Sequence, residues 1–178
     1  MSSGERIPYA KAHKIAVDIL YDLINLTYID KAVVVGSLRR KEEEVGDIDF
    51  QIQGDSYTIQ RYMQSMNWNQ QSAGSRRHIY IRDNYMRKHY DCKTEYELPE
   101  TFKINFFLCN GREWGPQLMH NTGSKKYNIR KRYLVKKKGW KLNQYGLYDD
   151  TGSNLYPKSE QDIYDMMEWD YCKPEDRV

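Results

Sequence analysis

Asp47 and Asp49 stand two residues apart in the stretch Gly36 to Gln53, "GSLRRKEEEVGDIDFQIQ", and alternate with Ile48, Phe50 and Ile52. A period of two belongs to a half-buried strand, so both carboxylates leave the same face with their Cα atoms roughly 6.5–7 Å apart. Carboxylates that close repel one another unless a cation sits between them. A bare Asp-x-Asp reads as an exposed acidic strand, and the turn upstream changes that reading. Gly36 lets the backbone turn sharply after the apolar run "KAVVV", and Ser37 follows at a helix N-terminus, where free N–H groups and a hydroxyl suit an anion. Arg40 can add a charge-assisted bond to a phosphate, and Gly46 permits close backbone approach just ahead of the aspartates. A phosphate-binding turn facing two carboxylates is the layout that a magnesium ion bridges.

These residues need a scaffold, and the composition supplies one. The chain is polar, with mean hydropathy −0.91, yet carries 13% aromatic residues. Disordered chains are poor in aromatics, so this one is expected to fold. Cys92, Cys109 and Cys172 form no CxxC pair, which argues against zinc and a disulfide framework and fits a reducing compartment. "SSGERIPY" lacks the apolar core of a signal peptide, and no run nears the roughly 18 apolar residues of a membrane helix. The expectation is a soluble intracellular monomer, in cytoplasm or nucleus, with no membrane partner. Net charge is only +3, but no acid occurs between Glu113 and Asp149, where Lys125, Lys126, Arg130, Lys131, Arg132, Lys136, Lys137, Lys138 and Lys141 all fall. A solvated helix face mixes signs, whereas a one-sign stretch is better matched by a polyanion.

Periodicity places the elements. Pro8 reads as the first residue of a helix whose stripe, from Ala12 to Ile24, runs to about Leu26. Lys31–Gly36 reads as a buried strand, Ser37–Lys41 as a short helix, Asp47–Gln53 as a strand and Ser56–Met66 as a helix. Arg77–Arg82 and Phe102–Cys109 read as strands; in the latter Lys103, Asn105 and Phe107 share the face opposite Phe102, Ile104, Phe106 and Leu108. Trp114–His120 is a short helix, "NTGS" a turn, Ser124–Lys138 a helix stopped by Gly139, "KLNQYGLYD" a strand and turn, and Ser159–Met167 a last helix. Intermixed strands and helices give an α+β class with a mixed sheet.

The motif run resembles the nucleotidyltransferase superfamily and, within it, the family X (beta-like) DNA polymerases. "GSLRR", five residues, then "GDID" is that family's spacing. "HNTGSKKYNIRKR", "KKKGWKLNQYGLYD" and "YCKPEDR" resemble its next segments in order. The resemblance implies a palm subdomain over residues 1–112 and a smaller α/β nucleotide-selection (thumb or fingers) subdomain over 113–178, as in small viral members, with no lyase domain. It implies that Ser37 and Arg40 hold the β and γ phosphates, with Gly36 and Gly46 assisting, and that Asp47 and Asp49 bind two Mg²⁺ ions, for which Mn²⁺ can substitute. His120 and Asn121 would lie under the sugar, and Thr122, Gly123 and Ser124 would carry a cis or strained turn. Asn128 would face the incoming base and Arg132 the template, two positions that i, i+4 spacing puts on one helix face. Lys103 would sit near the primer terminus, and Lys125, Lys126, Lys136, Lys137, Lys138 and Lys141 would contact DNA. The implied function is template-directed DNA polymerisation that fills short gaps in repair, on gapped or primer–template DNA with a dNTP.

Position 105 departs from that pattern. The family needs a third carboxylate on a later strand, and here Asn105 takes its place as a catalytic-site residue. A neutral amide cannot accept the primer hydroxyl proton and is a poorer metal ligand. Asn105 marks either an engineered Asp→Asn change, which the populated motif favours, or a naturally inert paralogue. The alternatives are nucleotidyl transfer to a small molecule, protein or RNA end, and a non-catalytic nucleotide- or DNA-binding module. Of the remaining residues, His13 reads as a surface or packing histidine, His78 and His89 as loop residues near DNA or solvent, Trp114 as a hinge residue, and Trp68, Trp140 and Trp169 as core or rim.

Overall fold

The computed structural model describes residues 5–82, 99 and 102–178. Cys92 and His89 lie outside the described residues. In chain order the elements are β1 (Ile7–Pro8), α1 (Tyr9–Ile24), β2 (Ile29–Val35), α2 (Gly36–Arg39), β3 (Glu44–Val45), β4 (Asp47–Gly54), α3 (Ser56–Ser65), β5 (Trp68–Ala73), β6 (Arg77–Arg82), β7 (Lys103–Leu108), α4 (Trp114–Thr122), α5 (Lys125–Lys137), β8 (Lys141–Asn143), β9 (Gly146–Tyr148) and α6 (Glu160–Met166), followed by a 3₁₀ turn at Pro174–Asp176. The class is α+β.

Five strands form one mixed sheet in the order β2-β4-β7-β6-β5. Its central pair, β4 and β7, is parallel and sets Asp49 opposite Asn105 and Phe50 opposite Phe106. The two faces follow from the pleat. Ile48, Phe50, Ile52, Ile104 and Phe106 pack with Ile15, Ile19 and Leu23 of α1 and Ile59 and Met63 of α3 in one buried cluster. Phe50 and Phe106 stack, with ring centroids 5.4 Å apart. The opposite face carries Asp47, Asp49 and Gln51 beside Asn105.

The helices draw on tertiary packing more than on their own caps. α1 has no capping side chain and no acid in its first turn. Its Tyr9 N–H is satisfied instead by the Glu43 carbonyl at 2.8 Å. α5 begins at Ser124, whose hydroxyl accepts from Tyr127 N–H, and ends on Lys136 and Lys137, which suit the negative end of the helix dipole. A second buried cluster gathers Met119, Tyr127, Val135, Leu147, Ile163, Tyr164 and Met167. Inside it the Tyr127 and Tyr164 hydroxyls share a hydrogen bond. Lys131 lies with its Nζ 3.9 Å from the centroid of Trp169 and 5.0 Å from that of Tyr164, and burial lowers its pKa.

Several expectations need correction. Pro8 is the residue before the helix, not its first turn, because it pairs with Glu44 in a two-strand ladder. β2 is a half-buried edge strand with Lys31 exposed, since only β4 flanks it. Asn121 and Thr122 belong to α4, so the turn begins only at Gly123. The alternation in β4 breaks at Gln51, which is fully buried because α4 crosses that face: Gln51 donates to the Trp114 carbonyl at 2.9 Å and accepts from Asn121 at 3.2 Å. β5, polar after Trp68, shows no strand period, and its pairing with β6 creates it. His78 is a buried residue of β6, beside the Tyr80 hydroxyl, and not part of a loop. His13 is exposed against the Tyr9 ring, Trp68 is buried in the sheet core, and Trp140 and Trp169 border the second cluster.

The sheet core predicts a measurable cost. Phe106→Ala removes a fully buried ring from the strand that carries Asn105, and should destabilise the fold by about 3–5 kcal/mol in urea unfolding. A loss below about 1 kcal/mol would show that the Phe50–Phe106 stack is not central to the fold.

Candidate active site

Asp47 and Asp49 form the floor of an open cleft of about 580 Å³. Gly36, Ser37 and Arg40 make one wall, and His120, Asn121, Gly123, Lys125, Asn128 and Arg132 make the other. The wall that should hold an anion is a short one, since α2 is only four residues long. Gly36 has φ +67°, and a Cβ there would overlap the Asp49 carboxylate, so the turn and the aspartate are packed against each other through a missing side chain. Gly123 has φ +71°, and the Gly123–Ser124 peptide bond is cis. A Cβ on Gly123 would lie 2.9 Å from Arg40 Nη1. Gly46 shows no such demand: its φ is not positive, and a Cβ there would meet only Arg6 Nε, at 3.8 Å.

Asn105 lies fully buried behind the floor. Its Nδ2 donates to Asp47 Oδ2 at 3.0 Å and to Asp49 Oδ1 at 2.7 Å. Its Oδ1 accepts from Arg77 Nη2 at 3.0 Å. Burial, then the charge of Asp47, push the Asp49 carboxyl up to about 7, against the Asn105 hydrogen bond and the charges of Arg77 and Arg40. Among the described residues no group of three or more His, Cys, Asp or Glu side chains is placed to hold a metal ion. The oxygen donors on offer are the two aspartates.

The second wall is internally pinned. Asn128 Nδ2 donates to the His120 carbonyl at 2.7 Å, and Arg132 Nη2 meets His120 Nδ1 at 2.6 Å. A guanidinium can only donate, so His120 is neutral with its proton on Nε2. Burial, then the Arg132 charge, lower its pKa. Arg40 bonds Glu42 and the Thr122 carbonyl. Thr122 lies buried behind the cleft, and its hydroxyl accepts from Arg39.

Lys103 is half-buried at the start of β7, paired with Asp47 in register. Lys126, Lys136, Lys137, Lys138 and Lys141 are exposed and lie outside the cleft lining. Lys138 also donates to the Met166 carbonyl at 3.2 Å, and Lys141 lies over the Tyr148 ring. Trp114 opens α4 beneath Lys31, whose Nζ is 5.4 Å from the ring centroid.

Sequence reasoning passed over Arg6, Glu42 and Ile129, which also line the cleft. It passed over Arg77, although the alternation of "RHIYIR" with "KINFFL" could have put Arg77 and Asn105 on one face. It also passed over Glu160. This side chain is 4% exposed and takes Arg39 on Oε2 and Arg177 on Oε1, both at 2.6 Å. Arg177, itself buried, donates twice to the Cys172 carbonyl and lies among the rings of Tyr127, Tyr164 and Tyr171. No spacing rule could reveal that triad, because its members stand 121 and 17 residues apart.

The Asp49 shift makes a prediction with a definite sign. A carboxyl whose folded pKa is raised from 3.8 to about 7 binds its proton more tightly in the fold than in the unfolded chain. Its stabilising share is full below pH 3.8 and is lost as pH rises through 7. In EDTA, unfolding free energy should therefore fall between pH 5.5 and 8 by more in the unmodified protein than in Asp49→Asn, by on the order of 1–4 kcal/mol. Equal slopes in the two proteins would contradict the shift.

Comparison with known proteins extends over the whole chain. The family model for the DNA polymerase beta thumb matches residues 117–178. A Bacillus subtilis (strain 168) protein named DNA polymerase/3'-5' exonuclease PolX is 29% identical over 90% of this chain, which spans only 26% of that relative. The repair DNA polymerase X of African swine fever virus (isolate Pig/Kenya/KEN-50/1950) is 26% identical, and the alignment covers 100% of this chain and 98% of the viral protein. DNA polymerase IV of Saccharomyces cerevisiae is 38% identical over 42% of this chain and 13% of its own length.

Proposed function

Because the chain belongs to the family X DNA polymerases, we propose that it is a DNA-directed DNA polymerase that adds a dNTP to a primer in short gaps during repair. One observation carries this reading: the Gly36–Ser37 turn, the Asp47–Asp49 pair and the Asn128–Arg132 helix face meet around a single cleft. Residues 1–112 act as the palm and 113–178 as the nucleotide-selection subdomain, in keeping with the two separate buried clusters. Among the described residues no helix is long and apolar enough to cross a membrane.

In this proposal Ser37, the Gly36 and Gly46 backbone and Arg40 hold the β and γ phosphates, and Arg40 exchanges its Glu42 contact for a phosphate oxygen. His120 and Asn121 lie under the sugar, with the Thr122–Gly123–Ser124 turn setting their height. Asn128 reads the incoming base and Arg132 the template strand. Lys103 lies beside the primer terminus, while Lys125, Lys126, Lys136, Lys137, Lys138 and Lys141 contact the DNA backbone. The primer 3′-oxygen attacks the α-phosphorus, a phosphodiester bond forms, and the bond to pyrophosphate breaks with its electron pair on the leaving group. The hydroxyl proton passes to water, since Asn105 has no lone pair to receive it at the floor.

The floor fits one divalent cation. Asp47 and Asp49 are half-buried on one strand face, and without a cation their repulsion helps to raise the Asp49 carboxyl. These two would hold a Mg²⁺ ion together with triphosphate oxygens, and the ion when bound neutralises charge on the phosphates. A second ion would need an oxygen at position 105, where Asn105 presents its NH₂ group to both aspartates. That observation favours a second reading, a chain that binds nucleotide and DNA with little turnover.

Two measurements test these readings. Arg132→Ala should lower gap-dependent insertion at least tenfold while leaving Mg²⁺-dNTP binding within about threefold; equal losses would count against a template contact. In single-turnover extension, Asn105→Asp should raise the rate by about 10²–10⁴. No gain would mean that position 105 is not the third catalytic position.

A further inference from the structure

We infer that Arg77 is a positioning residue that fixes which end of the Asn105 amide meets Asp47 and Asp49, and thereby holds the pair closed to a cation. The inference rests on reading those two aspartates as the cation-holding floor. It begins with hydrogen-bond polarity. A guanidinium carries only donors, so the amide atom it touches must be the oxygen. Arg77 Nη2 lies 3.0 Å from that oxygen, which leaves the NH₂ end to face the aspartates. The two amide hydrogens go one to each carboxylate, at 3.0 and 2.7 Å. Every polar atom of Asn105 is thus engaged, and the residue is fully buried, so no water can replace a lost partner.

Arg77 is itself anchored. It opens β6 opposite Phe107, on the sheet face that carries Asn105, and its guanidinium lies 5.1 Å from the Phe107 ring centroid. To offer an oxygen to a cation, the Asn105 amide must turn by half a revolution. Its NH₂ would then point at a guanidinium, donor against donor, and both aspartates would lose their hydrogen bonds. The amide therefore fills, with two N–H groups, the place between the carboxylates that a cation would occupy. An aspartate at 105 would escape this conflict, because both of its oxygens accept and neither orientation opposes Arg77.

Arg77 also carries positive charge, as does Arg40, and both act on Asp49. The test separates charge from amide orientation. Mn²⁺ binding without nucleotide would be measured by electron paramagnetic resonance for Arg77→Gln and Arg40→Gln, each with Asn105 and with Asn105→Asp. With Asn105, Arg77→Gln should tighten Mn²⁺ binding by about tenfold or more, and Arg40→Gln by only a few-fold. With Asn105→Asp, the excess of Arg77→Gln over Arg40→Gln should vanish. An excess that persists there, or is absent with Asn105, overturns the inference. Hydrogen exchange of the Asn105 side-chain amide, followed by NMR in EDTA, gives a readout that needs no metal. It should quicken at least tenfold in Arg77→Gln and stay unchanged in Arg40→Gln, and equal rates in all three proteins would refute the lock. If Asp49→Asn leaves Mn²⁺ binding unaltered while Arg77→Gln still frees the amide, the lock stands and the cation reading of the floor falls. Arg77 is exposed, so its removal leaves the folded core intact, as thermal unfolding can verify.

Discussion

The parallel pairing of β4 with β7 is the constraint on which the site depends. It makes Asp47, Asp49 and Asn105 neighbours across one ladder, although 56 residues separate Asp49 from Asn105. A slip of one residue would turn Asn105 to the apolar side and push Phe106 under the aspartates. The stacked Phe50 and Phe106 rings on the far face oppose that slip, because a buried ring cannot change places with a polar side chain without large cost. The apolar core thus enforces the polar geometry on its other side.

A second constraint joins α2 to the C-terminal cluster. Glu160 receives two arginines in a nearly dry setting, where removing one partner leaves an uncompensated buried charge. Its place in the first turn of α6 adds the favourable end of the helix dipole. Arg39 follows Ser37 by two residues and also holds the Thr122 hydroxyl. The phosphate-side turn and the residue before the cis peptide are therefore spaced by one side chain, which is in turn held by Glu160 and Arg177.

What could be read from the sequence follows a physical division. Features written within one element were legible: the α1 stripe, the Ser124 and Ser159 caps, the common face of Asp47 and Asp49, and the turn at Gly36. Features that exist only after elements meet were not. Gln51 looked solvent-facing because its burial comes from α4, more than sixty residues later. β5 carried no pattern because it gains its place by pairing with β6. Arg77 and Glu160 looked like ordinary surface charges, since a salt bridge or a fixed amide leaves no local period. The assigned roles of the cleft residues came through resemblance, and geometry adds that most of them share one cleft while Lys126, Lys136, Lys137, Lys138 and Lys141 stand outside it.

Lys131 carries a mechanical consequence. It sits on the inward side of α5, 3.9 Å from the Trp169 ring centroid, one position before Arg132, which points into the cleft. A helix whose opposite sides are both engaged cannot roll about its own axis. Turning Arg132 farther inward would drag the Lys131 ammonium off its aromatic seat, and turning it back would drive the same group into Tyr164. Any adjustment of the Asn128–Arg132 face must then be made as a lever, with α5, α6 and their rings swinging together about the region of Gly123. The helix behaves as a keyed shaft and not as a free roller.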